Sequence, residues 1–126
     1  MLHGEQYVEL LRPLPTEGKL VTRGAVIDVM DKKSGALVVT VNESFDESGE
    51  KIIINQSSTF VVGAGNFGGK QKPSDEVIPT IPPPNRKPDF TALCKTSVDQ
   101  AALYRLSGDY NPLHIDPDFA KLGGFK

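Results

Sequence analysis

The sequence predicts an α+β fold in which an antiparallel sheet comes first and a short helical region follows. Three observations carry this: β-branched runs between polar turns over residues 6–65, an abrupt change to glycine and proline over residues 63–88, and one helical apolar pattern over residues 98–106. The chain has 126 residues, 38% of them apolar and 24% charged. That length suits one domain of roughly 100–150 residues.

The first strand is expected over residues 7–12. It stops at Pro13-Leu14-Pro15, because proline cannot donate to a ladder, and the chain turns through Thr16-Glu17-Gly18. A second strand over residues 20–30 ends in the polar loop Asp31-Lys32-Lys33-Ser34-Gly35, and a third over residues 36–42 is centred on Leu37-Val38-Val39-Thr40-Val41. After the polar turn Asp46-Glu47-Ser48-Gly49-Glu50, Ile52-Ile53-Ile54 leads into a last run over residues 56–62. Three consecutive strands with short loops form an antiparallel meander.

Residues 63–88 carry Gly63, Gly65, Gly68 and Gly69, then six prolines from Pro73 to Pro88, with few apolar residues between them. The composition predicts a crossing linker, permissive at its glycine end and extended around Ile81-Pro82-Pro83-Pro84. Gly63-Ala64-Gly65-Asn66-Phe67-Gly68 matches the spacing of a dinucleotide fingerprint, but no amphipathic helix follows, so the anion-binding helix N-terminus is lacking. Beyond the linker, residues 90–96 are expected as a strand. Ser97 is then expected as the N-cap of a helix over residues 98–106, with Gln100 completing a capping box. Ala102, Leu103 and Leu106 share one helical face and read as core. Ser107-Gly108 ends that helix, and Pro117 to Leu122 make a further helical turn closed by Gly123-Gly124.

Charge and special residues narrow the function. Fourteen basic residues against sixteen acidic ones, net −2, give no positive field for nucleic acid or an acidic membrane. Cys94 is the only cysteine, and His3 and His114 lie far apart, so neither a disulfide nor a zinc-type cluster is expected. No run approaches the roughly 18–20 apolar residues of a membrane span, and no basic-then-apolar leader follows Met1.

The informative stretch is Ser107-Gly108-Asp109-Tyr110-Asn111-Pro112-Leu113-His114-Ile115-Asp116. Gly108 can take a left-handed cap conformation. Pro112 fixes its own backbone and pushes Asn111 out of the helical region, so Asp109 and His114 sit on a forced non-helical turn. A carboxylate and an imidazole aimed at one point form a general acid/base pair: one accepts a proton from water while the other delivers a proton to carbon near neutral pH. Asn111 can orient the loop through its side chain. Two other readings use the same residues. Asp and Asn around Gly and Pro are common turn formers with no further role, and Asp109, His114, Asp116 and Asp118 could ligate a metal, although one imidazole among carboxylates lacks the glycine-turned pattern of a calcium loop.

The run from Tyr104 to Pro117, with Phe119-Ala120 after it, resembles the signature of the MaoC-like, R-specific enoyl-CoA hydratases, the hydratase 2 family. His3-Gly4-Glu5-Gln6-Tyr7, Phe67-Gly68-Gly69 and Pro84-Asn85-Arg86 extend the similarity over essentially the whole chain, toward the hydratase 2 region of type 2 peroxisomal multifunctional enzymes. The resemblance implies a double hot-dog fold, each unit wrapping an antiparallel sheet around a long helix. Residues 1–65 would then be the remainder of a first, non-catalytic unit on the acyl-tail side, 66–89 a linker, and 90–126 the start of the second unit with the catalytic loop. It further implies a chain incomplete at both ends, lacking a helix before Met1 and a helix and strands after Lys126.

The implied activity is reversible hydration of trans-2-enoyl-CoA to (3R)-3-hydroxyacyl-CoA in fatty-acid β-oxidation. Asp109 and His114 would be the catalytic pair, with Asn111, Gly108 and Asp116 as substrate-binding or loop-supporting residues. No metal or cofactor is implied, since CoA belongs to the substrate, and the implied location is peroxisomal. The expected partners are the fatty enoyl-CoA or hydroxyacyl-CoA thioester and either a second copy or a complementary chain segment, with no nucleic acid and no membrane. The alternative is a non-catalytic hot-dog fragment that binds acyl-CoA or a partner and keeps Asp109 and His114 as turn residues.

Overall fold

Four antiparallel strands build the first half of the chain: β1 (Leu2–Leu10), β2 (Val21–Asp31), β3 (Gly35–Phe45) and β4 (Lys51–Val62). Their order in the sheet is β1-β4-β3-β2, so β2, β3 and β4 form the expected meander and β1 adds to the free edge of β4. The structure is a computed structural model that describes residues 1–122 and 124, and it divides into two compact units, Met1–Ile81 and a second that begins at Pro82.

The local chemistry of the turns explains the hairpins. Between β2 and β3 the chain reverses at Lys33, whose φ of 62° is left-handed, with Lys32 N–H donating to Gly35 C=O at 2.9 Å. Between β3 and β4 the Asp46 carboxylate accepts the N–H groups of Ser48 (2.9 Å) and Glu50 (3.0 Å), and Gly49 takes the positive φ of 85°. The strands run longer than the apolar runs suggest, because pairing continues past them. Glu43, Ser44 and Phe45 of β3 face Arg23, Thr22 and Val21 of β2, and β4 is unbroken through Asn55.

A register shift between Val26 and Asp28 turns the end of β2, so that Asp28, Met30 and Asp31 are buried while Val29 stays exposed. The apolar core is small, consisting of Met30, Ala36, Val39 and Ile52, and Val39 and Ile52 are fully enclosed. Around it sit the buried polar side chains Asp28, Asp31, Ser44, Gln56 and Ser58.

Those polar groups hold down the segment expected to be a linker. Asp31 accepts the N–H groups of Asn66 and Gly68, each at 2.9 Å, and its own N–H donates to Lys70 C=O at 2.7 Å. Asp28 accepts Ser74 N–H at 2.8 Å and pairs with Lys70 Nζ at 2.8 Å. Gln56 closes a two-way clamp on Ile78, accepting its N–H at 2.9 Å and donating to its C=O at 3.0 Å. Residues 66–81, expected as part of a crossing linker over 66–89, are therefore a strap hydrogen-bonded across the first unit. The physical reason is that irregular backbone still carries N–H and C=O groups that need partners, and the sheet supplies them. The Gly-rich turn that imitates a dinucleotide loop has two of its N–H groups taken by the protein's own anion, Asp31.

The second unit differs from expectation in three respects. Residues 90–96 form no strand, since a strand requires a paired neighbour and none of the described residues from Pro82 onward is in one. The helix α1 (Gln100–Leu106) begins after Asp99 with no side-chain cap bond, and Ser97 contributes only its C=O to Gln100 N–H at 3.2 Å, so the capping box is not formed. Ala102, Leu103 and Leu106 are exposed, and α1 has no buried residue, so the expected core face is not covered within this unit. A single 3-10 turn (Pro112–His114) and helix α2 (Pro117–Leu122) complete the described structure. Pro117 opens α2 as expected. Gly123 lies outside the described residues, while Gly124, with φ 82°, returns its N–H to Lys121 C=O at 3.0 Å.

Candidate active site

The turn between α1 and α2 is built by rules local to its sequence. Gly108 leaves the helix with φ 122°, a conformation that glycine tolerates and side-chain-bearing residues disfavour, and its N–H closes on Arg105 C=O at 3.2 Å. Asn111 stands at φ −60°, ψ 118°, the extended geometry that a following proline enforces, and its side chain accepts Leu113 N–H at 3.0 Å. His114 thus lies at the end of a 3-10 turn, which corrects the expectation that it occupies a non-helical one. The proline at the first position of that turn has no N–H to leave unpaired.

Within this frame Asp109 and His114 come together. Asp109 Oδ2 lies 3.4 Å from His114 Nε2, and both side chains are part-exposed, at 34% and 45%. The other carboxylate oxygen, Oδ1, accepts Asn111 N–H at 3.1 Å. One oxygen is therefore tied to the backbone and the other is left for the imidazole. Asp116 turns away to a separate task, accepting Asp118 N–H at 2.9 Å and Phe119 N–H at 3.2 Å, as the residue before a helix does. Of the five residues expected at the site, Asp109 and His114 meet, Asn111 and Gly108 shape the turn, and Asp116 caps α2.

Two residues that open the run resembling the family signature, but to which the sequence assigned no site role, also belong to this site. The Tyr104 ring meets the His114 ring edge to face, with centroids 6.2 Å apart and planes at 87°. Arg105 Nη1 donates to Tyr110 C=O at 2.9 Å, and its guanidinium lies 5.5 Å from the centre of the Tyr110 ring. The available signal was spacing: Tyr104 and Arg105 occupy the last turn of α1, immediately before the loop. An open depression of about 430 Å³, lined by Thr96, Ser97, Val98, Gln100, Ala101, Tyr104 and His114, adjoins the imidazole. Among the described residues no three His, Cys, Asp or Glu side chains converge as a metal site would require. Nor is any described helix long and apolar enough to cross a membrane.

Comparison with known proteins gives two family matches. The family described as MFE-2 hydratase 2 N-terminal domain matches residues 1–63, and the MaoC like domain matches residues 80–126. The chain is 64% identical over 126 residues to the peroxisomal multifunctional enzyme type 2 of Drosophila melanogaster, covering all of this chain and 21% of that protein. It is 41% identical over 133 residues to the peroxisomal enoyl-CoA hydratase 2 of Arabidopsis thaliana, covering 99% and 43%. Among solved structures, full-length peroxisomal multifunctional enzyme type 2 from Drosophila melanogaster aligns with a TM-score of 0.76 at 60% identity, covering all of this chain and 22% of that one. A MaoC-like dehydratase from Phytophthora capsici aligns with a TM-score of 0.71 at 44% identity, covering 99% and 43%. The chain spans between about a fifth and less than half of the length of these relatives.

Proposed function

Because the chain belongs to the hydratase 2 family and shares the hot-dog fold of its MaoC-like neighbours, we propose that it carries the proton-transfer loop of an R-specific enoyl-CoA hydratase, a hydro-lyase. The reaction is reversible hydration of a trans-2-enoyl-CoA to the (3R)-3-hydroxyacyl-CoA in fatty-acid β-oxidation. The single observation that carries this reading is the approach of Asp109 Oδ2 to His114 Nε2 at 3.4 Å on a turn closed by its own hydrogen bonds.

The conjugated thioester makes the β-carbon electrophilic, so protein side chains need only activate water and deliver a proton. The water oxygen bonds to the β-carbon, and one of its protons passes to a member of the pair. The C=C electron pair moves toward the thioester carbonyl, and the α-carbon then takes a proton from the other member. The net result is OH on the β-carbon and H on the α-carbon. Proton exchange between Asp109 and His114, directly or through solvent, restores both. The proposed chemistry uses no metal or redox group, and CoA enters with the substrate. Homologues with peroxisomal names support a peroxisomal location. Association with a second copy or a complementary segment is part of the same proposal.

The test is a hydration assay with a medium-chain trans-2-enoyl-CoA, followed by loss of the enoyl thioester's ultraviolet absorbance. Asp109→Asn and His114→Gln should each lower kcat by about 10²- to 10⁴-fold, the usual worth of a positioned acid or base. A parent protein that binds acyl-CoA but hydrates none of it would overturn the reading in favour of a non-catalytic binder.

A further inference from the structure

We propose that Arg105 is the positioning residue of the Asp109–His114 pair, acting on it through the Tyr110–Asn111 peptide; the inference rests on the hydratase reading above. Arg105 grips the turn at two points. Its C=O accepts Gly108 N–H at 3.2 Å, and its guanidinium donates to Tyr110 C=O at 2.9 Å. The second contact carries the argument. Tyr110 C=O and Asn111 N–H belong to one planar peptide unit, so fixing the direction of the oxygen fixes the direction of the hydrogen on its opposite side. That Asn111 N–H is the donor to Asp109 Oδ1 at 3.1 Å.

With Oδ1 held, the plane of the carboxylate is set, and Oδ2 is the oxygen presented to His114 Nε2 at 3.4 Å. Four links thus run in series: guanidinium, peptide plane, carboxylate, imidazole. The guanidinium also lies against the Tyr110 ring, 5.5 Å from its centre, a cation–π contact that keeps the planar fork on one side of the turn. Arg105 is only partly exposed, unlike most of α1. A lysine could make the single hydrogen bond but not the flat stacked fork, so Arg105→Lys should act as a partial substitute.

Two readouts in the full-length protein test this. The first is the imidazole NMR spectrum, in which the His114 signals are assigned by their loss in His114→Gln. Arg105→Ala should move the His114 ring signals toward their positions in Asp109→Asn, and Arg105→Lys should place them between. The second is kinetic: Arg105→Ala should lower kcat by about 10- to 100-fold, the scale of a misplaced catalytic group, with KM changed less than about twofold and Arg105→Lys intermediate.

Superimposable His114 signals in parent, Arg105→Ala and Arg105→Lys would overturn the inference, as would an unchanged kcat in an active protein. If the parent hydrates no enoyl-CoA yet the His114 signals respond as stated, positioning stands and the hydratase reading fails. Should Arg105→Ala fail to fold, Arg105→Lys alone decides through the same two readouts.

Discussion

At the scale of single residues, the site depends on side chains that substitute for missing backbone partners. Asn111 is the clearest case, since its amide oxygen takes Leu113 N–H at 3.0 Å while its own N–H is bound by Asp109. Asn111→Ala leaves Leu113 N–H without that acceptor, a change of the kind that costs about 0.5–2 kcal/mol at a helix start. We expect a drop in kcat and faster amide exchange at Leu113, with Asn111→Ser, which keeps a capping oxygen, falling between; equal exchange in Asn111→Ala and the parent would show that the cap is not what holds the turn. The approach of Asp109 to His114 was legible in the sequence because they are five positions apart and the intervening Asn-Pro obeys local rules. Arg105 was not. Its role depends on which carbonyl a long flexible side chain reaches, and no spacing rule specifies that.

The strap shows the same principle across a whole element. Its glycines and prolines correctly announced a lack of regular structure, yet the capture of its amides by Asp28, Asp31 and Gln56, tens of residues away in sequence, left no local mark. The segment 90–96 failed in the opposite direction, since it was expected as a strand but no described strand of its unit is there to pair with it.

The strap's ionic anchors carry a pH prediction. The Lys70 ammonium, paired with Asp28, lowers that carboxyl from 3.8 to about 2, with burial opposing and Ser74 N–H assisting. The N–H groups of Lys33 and Asn66 lower Asp31 in the same direction. Because both folded carboxyls lie below their ordinary value, the stabilisation is complete above about pH 4 and is lost as pH falls through the folded values, about 2 for Asp28. Amide exchange at Gly68 and Ser74 should therefore accelerate over that interval before exchange at Val39 in β3 does. Asp28→Asn should produce about tenfold or greater acceleration at those sites already at neutral pH. Simultaneous loss of protection in strap and sheet would mean that the strap is not a separately releasable element.

For the molecule as a whole, the decisive quantity is how little apolar surface the first unit encloses on its own. Strand existence was legible because alternation and turn chemistry are local. What covers the sheet was not, since four buried apolar side chains, Met30, Ala36, Val39 and Ile52, serve a sheet that leaves Val8 and Leu10 exposed on β1 and Val21, Val26 and Val29 exposed on β2. β1 and β2 are also the two edges of the sheet, with no neighbouring strand on their outer sides, although Asp31 N–H of β2 is bound by the strap at Lys70 C=O. A sheet with apolar residues and open edges gains by covering both, and a second copy supplies the same strands in complementary orientation. The 13.6 kDa chain should therefore sediment above its monomer mass, with a concentration dependence. Val26→Lys, which puts a charge on the exposed edge strand without touching the buried set, should shift it back toward the monomer while the far-ultraviolet spectrum of the sheet persists. A parent chain that sediments at 13.6 kDa at all concentrations, with no binding of a hydrophobic dye, would show that the exposed valines and leucines need no cover.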